Sequence, residues 1–476
     1  MRNFSKAQRA AQAALVLALF LLGALILAAC SQNGADDLAY AEAYAYAGAS
    51  TEDKQEYISA EELERARRWT HDINQFREHI LSVHPKFTDA SIMHLPTNIE
   101  MGRGINERIA ALLGEVSALS DLEIKAELQY TMAITRDNHS VFLYFFDADS
   151  YPLRFRWLAD GFYLIESHER YASALNHRLV AVNGVHWEDL LHKIINFMGP
   201  ENIYGARALF EMLGISPEVL MALRIYDENG TVITLEDGYG NQRELTPTGA
   251  YMRGSRGDLA LASVALVDDR IEGELPLFFQ NRELPHWHAF LEDSGILYVR
   301  FNEYTLDVDV ELGRVYVFEN AVRDTVGEIS ACAVVAVVID ARDNPGGAIV
   351  HHHLFRFLVD SAPPDMIFYF VNEGSGSASL DAAATLYNWG ATIIGQPLGQ
   401  ALEFYFGDGA SEIITLDYSG LEVRASNAIL SIRERHGIES DDNVFRPHVL
   451  IEHTIDDWVN NRDPLLEYVL ELLGRD

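Results

Sequence analysis

Two short loops in the last third of the chain carry residue types suited to acyl chemistry. The first, Asp340-Ala341-Arg342-Asp343-Asn344-Pro345-Gly346-Gly347, directly follows an apolar run. Its Pro-Gly-Gly forces a turn, lets backbone N–H groups approach a ligand, and hands over to a helix whose N-terminus adds partial positive charge. That combination suits an anion or an oxyanion. The second loop is Asn372-Glu373-Gly374-Ser375-Gly376-Ser377-Ala378-Ser379, between a strand pattern and a helix pattern. A serine at such a junction presents its hydroxyl at the mouth of a sheet, where the following N–H groups can stabilise a tetrahedral oxyanion. Each loop alone also reads as plain structure: a glycine turn in the first, and a Gly/Ser loop with Ser379 capping the next helix in the second.

The surrounding pattern is what must hold these loops. Ile296 to Phe301 reads as a strand, about 309 to 328 as a helix, and Ala333 to Asp340 as a continuous apolar strand. A helix over Gly347 to Val359, a strand over Met366 to Val371, a helix over Ser379 to Trp389 and a strand over Ala391 to Ile394 complete the alternation. Buried strands separated by helices predict an α/β layer with parallel pairing, α+β overall, and ligand sites at strand C-terminal ends. Both loops lie at such ends. Upstream, capping boxes at Ser59 and Ser120 predict helices to about Val83 and about Thr135, followed by a strand over Ser140 to Phe146. Residues 149–255 read as a small β-rich module, 256–292 as a connector and 293–476 as the α/β core.

Composition narrows the partners. The 476 residues carry 71 Asp and Glu against 36 Lys and Arg, a net charge of -35, so phosphate backbones are repelled and no nucleic-acid partner is expected. Two cysteines exclude a disulfide scaffold and a Cys-rich zinc module. Cys332 sits in an apolar strand pattern, which suits an inert core thiol. Arg2, Lys6 and Arg9 precede an uncharged apolar run, a secretory signal over 1–29. Its ending, Leu27-Ala28-Ala29-Cys30, resembles the lipobox of bacterial lipoproteins. That resemblance implies lipidation of Cys30, a tether over 30–57, and a secreted protein anchored to the outer face of the bacterial cytoplasmic membrane or held as a periplasmic lipoprotein. An uncleaved membrane anchor is the alternative. The histidine runs His286-Trp287-His288 and His351-His352-His353 lack a matched carboxylate or cysteine, so no metal site and no cofactor is expected.

Taken together, Ile296 to about Leu470 resembles the tail-specific, C-terminal-processing serine proteases. The resemblance rests on Ile296-Leu297-Tyr298-Val299-Arg300-Phe301, on the first loop as signature, on Gly374-Ser375-Gly376-Ser377-Ala378-Ser379 as nucleophile loop, and on Gly390-Ala391-Thr392-Ile393-Ile394-Gly395-Gln396-Pro397. It implies a crotonase/ClpP-like layered core, an N-terminal helical subdomain over 58–148, and a PDZ-like module in which Ala181-Val182-Asn183-Gly184 matches although a clear carboxylate-binding loop is missing. It places the nucleophile on Ser377, with Ser375 and Ser379 as fallbacks, and the oxyanion donors on Ala378 and on Gly346 or Gly347. The best-known branch activates its serine with a lysine about 25 residues downstream. Leu402 stands there, and no lysine follows Lys193.

The other branch, which includes the tricorn core protease, resembles this chain in its Asp-x-His-Ser segment, here Asp137-Asn138-His139-Ser140. It implies His139 as general base, a group that works near neutrality without a large shift. Asn138 then orients His139, and a C-terminal carboxylate assists, Glu439 or else Glu434. The expected function is an extracytoplasmic serine endopeptidase acting on peptide or protein substrates. A peptide-binding lipoprotein that has lost catalysis is the alternative, since Leu380 stands where the family often has Glu; an esterase would share the same site.

Overall fold

The computed structural model describes residues 59–146, 148–226, 230–248, 266–267, 275–304, 308–329, 334–347, 351–407 and 413–474. The expected signal, the tether, Cys30 and Cys332 lie outside them. Helix α1 (Ala60–Val83) buries Trp69, Ile73, Phe76 and Ile80, the i, i+3, i+4 stripe of an amphipathic helix. It packs in one apolar core with α2 (Pro96–Glu115) and α3 (Asp121–Met132). Ser120 and Glu123 close the expected capping box, and the helix tightens into a 3₁₀ turn over Ala133–Thr135.

The strand expected over Ser140 to Phe146 is shorter. Only Val141–Phe142 is extended, and Leu143–Phe146 is one helical turn. Phe142 and Phe145 are both fully buried, and that spacing of three matches a turn of helix better than a period of two.

A seven-stranded antiparallel sheet follows, including β1 (Leu153–Leu158), β2 (Gly161–His168), β3 (Arg178–Val182), β4 (Ile233–Glu236) and β5 (Gln242–Leu245) in that order. Between β3 and β4 run α4 (Trp187–Met198) and α5 (Ile203–Leu213). The apolar core of this β-rich segment is continuous with that of α1 to α3.

The last third forms a six-stranded sheet from β6 (His286–Leu291), β7 (Ile296–Phe301), β8 (Ala336–Asp340), β9 (Ile367–Val371), β10 (Thr392–Gly395) and β11 (Val449–Leu450). The spatial order matches the chain order; β6 is antiparallel, and every other pair is parallel. Helices α6 (Val308–Glu328), α7 (His352–Val359), α8 (Ala378–Asn388) and α9 (Pro464–Leu472) flank it. Alternate side chains feed two cores: Val299, Ile339, Tyr369 and Ile393 pack with Leu354, Leu358 and Leu386, while Tyr298, Val338, Phe368 and Ile394 pack with Leu465 and Val469. Burial on both faces is why these strands read as unbroken apolar runs. Helix α7 begins at His352, five residues after the expected Gly347.

Candidate active site

The nucleophile loop leaves the sheet at the C-terminal end of β9. Ser377, the N-cap of α8, has φ 49 and ψ -118, a conformation that costs a non-glycine residue of order 1–3 kcal/mol. The loop is over-determined by its neighbours. Ser375 donates its hydroxyl to the Ala341 carbonyl (2.8 Å) and accepts from Asn372 N–H (3.0 Å), while Gly376 N–H donates to the Asn344 carbonyl (3.0 Å). These bonds separate the three serines. Ser375 and Ser379 are fully buried, the former spent on the loop and the latter beside the Tyr369 hydroxyl (3.3 Å). Ser377 is half-buried and its hydroxyl caps nothing.

The signature loop is anchored from below by a buried charge network. Asp340 accepts from the Tyr298 hydroxyl (2.6 Å), Arg300 (2.6 Å) and Arg342 (2.5 Å), and Arg342 also pairs with Asp463 (2.8 Å). Burial alone would raise the Asp340 carboxyl, but the two guanidinium charges outweigh it and hold it at about 2. Above the network the chain turns through Asp343 (φ 60), Gly346 (φ 107) and Gly347 (φ 126). A Cβ on Gly346 would lie 2.5 Å from the Ser377 Cβ and 2.9 Å from the Ala378 nitrogen, so the turn fits against Ser377 only as glycine. Of the expected oxyanion donors, Ala378 N–H heads α8 and has no intrahelical acceptor. Gly346 N–H is engaged by Asn344 Oδ1 (2.9 Å).

His139 arrives from the other end of the chain. Arg136 ends the 3₁₀ turn in the left-handed region, and Asp137, completely buried, then organises the loop. Its Oδ1 accepts from His139 N–H (2.9 Å), and its Oδ2 accepts from the Ser140 hydroxyl (2.5 Å) and lies 3.2 Å from His84 Nε2. Phe404 stacks on the imidazole at 6.0 Å. Burial lowers the His139 pKa, and the nearby Asp137 charge offsets that only in part.

One side chain joins the two halves. Gln400, buried, accepts the Ser377 N–H on Oε1, and its Nε2 lies 3.3 Å from His139 Nδ1 and 3.4 Å from Glu201 Oε1. Because Ser377 N–H can only donate, the amide oxygen must face it and the NH2 must face His139. His139 Nδ1 therefore receives a hydrogen bond, and its proton sits on Nε2. Glu201 also accepts from Ala401 N–H (2.5 Å). Burial and the Asp137 charge push its carboxyl up to about 8, so it is protonated at neutral pH.

The remaining expected residues fall elsewhere. Glu439 and Glu434 are exposed and line a surface depression with Arg433 and Ser440; no hydrogen bond or ion pair joins either to His139. The carboxylates that face His139 are Asp137, 3.9 Å from Nδ1, and Glu201. Asn138 makes no side-chain bond to His139; its Nδ2 lies 3.4 Å from where a Cβ on Gly205 would sit. Leu380 and Leu402 are core residues. Among the described residues, Asp137, His139 and Glu201 are the one group whose ligand atoms lie close enough together for a cation, within 4.8 Å of one another, though Asp137 is already taken by three donors. His286, His288 and His351–His353 form no such group: His288 bonds Thr325 (2.8 Å), and His351 is packed among aromatic rings.

Sequence reasoning missed Gln400, Glu201 and the part played by Asp137. Asp137 was within reach as the first residue of the Asp-x-His-Ser segment. Gln400 stands two positions before Leu402, which occupies the place of the lysine in the best-known branch, but nothing local marks it. Glu201 carries no local signal either.

No family model and no curated protein matches this chain. Among solved structures, mature CPAF is similar over 86% of this chain and 97% of its own, at 13% identity and a TM-score of 0.54. A serine-to-alanine mutant of CPAF is similar over 87% of this chain and 99% of its own (12%, TM-score 0.56), and CPAF complexed with lactacystin over 86% and 98% (11%, TM-score 0.53). At these identities the likeness is one of fold: a mixed helix-and-sheet chain built as CPAF is.

Proposed function

We propose that the chain is a serine endopeptidase in which Ser377 is the nucleophile and His139 its base. CPAF, whose fold this chain resembles, has been solved with lactacystin bound and with a serine changed to alanine, which is compatible with that chemistry. The observation that carries the reading is the Gln400 side chain, which touches the Ser377 amide on one side and the His139 ring, 261 residues away, on the other.

Gln400 must first release His139 Nδ1 for that nitrogen to act as base. The Ser377 Oγ then bonds to the scissile carbonyl carbon as His139 takes the hydroxyl proton. The oxyanion is held by Ala378 N–H and by Gly346 or Gly347 N–H, the former once freed from Asn344. The proton passes to the leaving amine, and water, deprotonated by the same imidazole, hydrolyses the acyl-enzyme. A tail-specific, crotonase/ClpP-like core of the histidine-base branch is the finer reading, with the β-rich segment as its PDZ-like module.

A fluorophosphonate probe tests the site: wild type labels, Ser377→Ala does not, and His139→Ala labels about 100-fold or more slowly. Equal labelling of all three sinks the mechanism. No labelling of wild type between about pH 6 and 9 supports the peptide-binding alternative, which the engaged Ser377, Gly346 and His139 groups favour. Lipid anchoring through Cys30 is part of the same proposal; no helix among the described residues is long and apolar enough to cross a membrane. Metabolic labelling with a radioactive fatty acid should mark wild type, and equal incorporation into Cys30→Ser would exclude it.

A further inference from the structure

Two arginines of the β-rich segment reach across to the two loops that build the site, one to each. Arg156, in β1, places its Nη2 3.0 Å from both carboxylate oxygens of Asp343 in the signature loop. Arg207, in α5, pairs with Glu373 of the nucleophile loop at 2.8 Å, its guanidinium stacked 3.9 Å over the Trp157 ring. Each pair has one buried and one partly exposed partner: Arg156 is 11% exposed against 39% for Asp343, and Glu373 7% against 22% for Arg207. Removing the partly exposed partner leaves the buried charge of each pair, Arg156 or Glu373, uncompensated.

Each gripped carboxylate sits where movement reaches the nucleophile. Asp343 is itself in the left-handed region, accepts from Asn372 Nδ2 (2.6 Å) and donates its N–H to Asn372 Oδ1 (2.8 Å), which ties the signature loop to the nucleophile loop. The Glu373 carbonyl accepts from Gly399 N–H (3.1 Å), next to Gln400. The same segment holds the Gln400 loop directly. Asn202 Nδ2 donates to the Leu398 carbonyl (3.2 Å), and a Cβ on Gly205 would strike the Gly399 carbonyl at 2.3 Å.

We infer that Arg156 and Arg207 are positioning residues: the β-rich segment acts as a built-in clamp that sets the two catalytic loops through Asp343 and Glu373. The catalytic half of this inference rests on the serine peptidase reading; the mechanical half does not. A surface pair would do neither, since exposed pairs are worth little and span no two functional loops.

The test uses the full chain with Arg156→Gln and Arg207→Gln, and with Arg207→Lys as the milder variant in case the first two fail to fold. Amide hydrogen exchange is followed in peptides covering 340–347 and 372–378, beside fluorophosphonate labelling. Expected is at least about 10-fold faster exchange in the loop each arginine grips, at least about 10-fold slower labelling, and no change in exchange of α1 to α3. The Arg207→Gln effect should vanish when Glu373 is already Gln, which a role through stacking on Trp157 alone would not produce. Unchanged loop exchange in folded variants overturns the clamp whether or not the wild type labels. Faster loop exchange with unaltered labelling overturns its catalytic part alone. Failure of wild type to label overturns the peptidase reading and leaves the exchange result to decide the clamp.

Discussion

Gln400 makes two contacts that a working base and nucleophile would not keep. Its NH2 occupies the lone pair of His139 Nδ1, and its oxygen occupies the Ser377 N–H. A net hydrogen bond is worth about 0.5–1.5 kcal/mol, so losing both, about 1–3 kcal/mol, should raise the reactive population by roughly 5- to 150-fold. Gln400→Ala is therefore expected to label faster with fluorophosphonate than wild type, by about that factor. Slower labelling would mean that the amide positions Ser377 and does not mask it. The lowered His139 pKa adds a sign: the neutral imidazole, which is the base in the proposed mechanism, persists below the ordinary histidine range, so the acid limb of the labelling profile lies below pH 6.5. None of this was legible from sequence. Gln400 gains meaning only because the loop carrying it packs on Asn202 and Gly205, far away in the chain. Glu439 had the opposite fate, since a carboxylate suggested by resemblance and order lies exposed on the surface instead.

At the scale of elements, the strand, Pro-Gly-Gly turn and helix succession was readable because both faces of the parallel strands are buried. Turn residues then had to collect at the strand ends. What was unreadable is how the turn and the nucleophile loop interlock. The Gly346 Cα lies against Ser377 so closely that any side chain displaces one loop or the other. Gly346→Ala also forces a residue with a Cβ to φ 107. Labelling should fall by about 100-fold or more, with a stability loss of order 1–3 kcal/mol measured by urea unfolding. A variant that labels like wild type would show that the turn gives way, and that Gly346 does not set the nucleophile. The mistaken strand over Ser140 to Phe146 has a related cause. Its aromatic residues fit either period, and only the shared core with α1 and α3 selects the helical turn.

For the whole molecule, the net charge of -35 first served to exclude partners, and the fold distributes it unevenly. Glu201 and Glu211 are pushed up, chiefly by burial, to about 8 and about 7. Glu166 and Asp340 are held at about 2, since paired arginines outweigh their burial. The two groups act on stability in opposite directions. For the raised carboxylates the folded state binds more protons than the unfolded one above about pH 4.3, so their stabilisation is full below that pH and is lost as pH rises to about 8. For the lowered ones stabilisation is present above about pH 4 and is lost as pH falls toward 2. His351 and His453, lowered by burial to about 3 and about 4, add stability as pH rises to about 6.5 and offset that loss, so the melting temperature should hold to about pH 6.5 and fall toward pH 8, where ionisation of the other acids deepens the fall by self-repulsion. Glu201→Gln removes one of the two raised groups. It should flatten the descent by up to one proton's worth, ~1.4 kcal/mol per pH unit where Glu201 is the titrating group. Melting curves of wild type and Glu201→Gln at intervals from pH 4 to 9 decide the matter. Parallel descents would mean that Glu201 is ionised in the fold at neutral pH, which would in turn remove the protonated neighbour from beside Gln400.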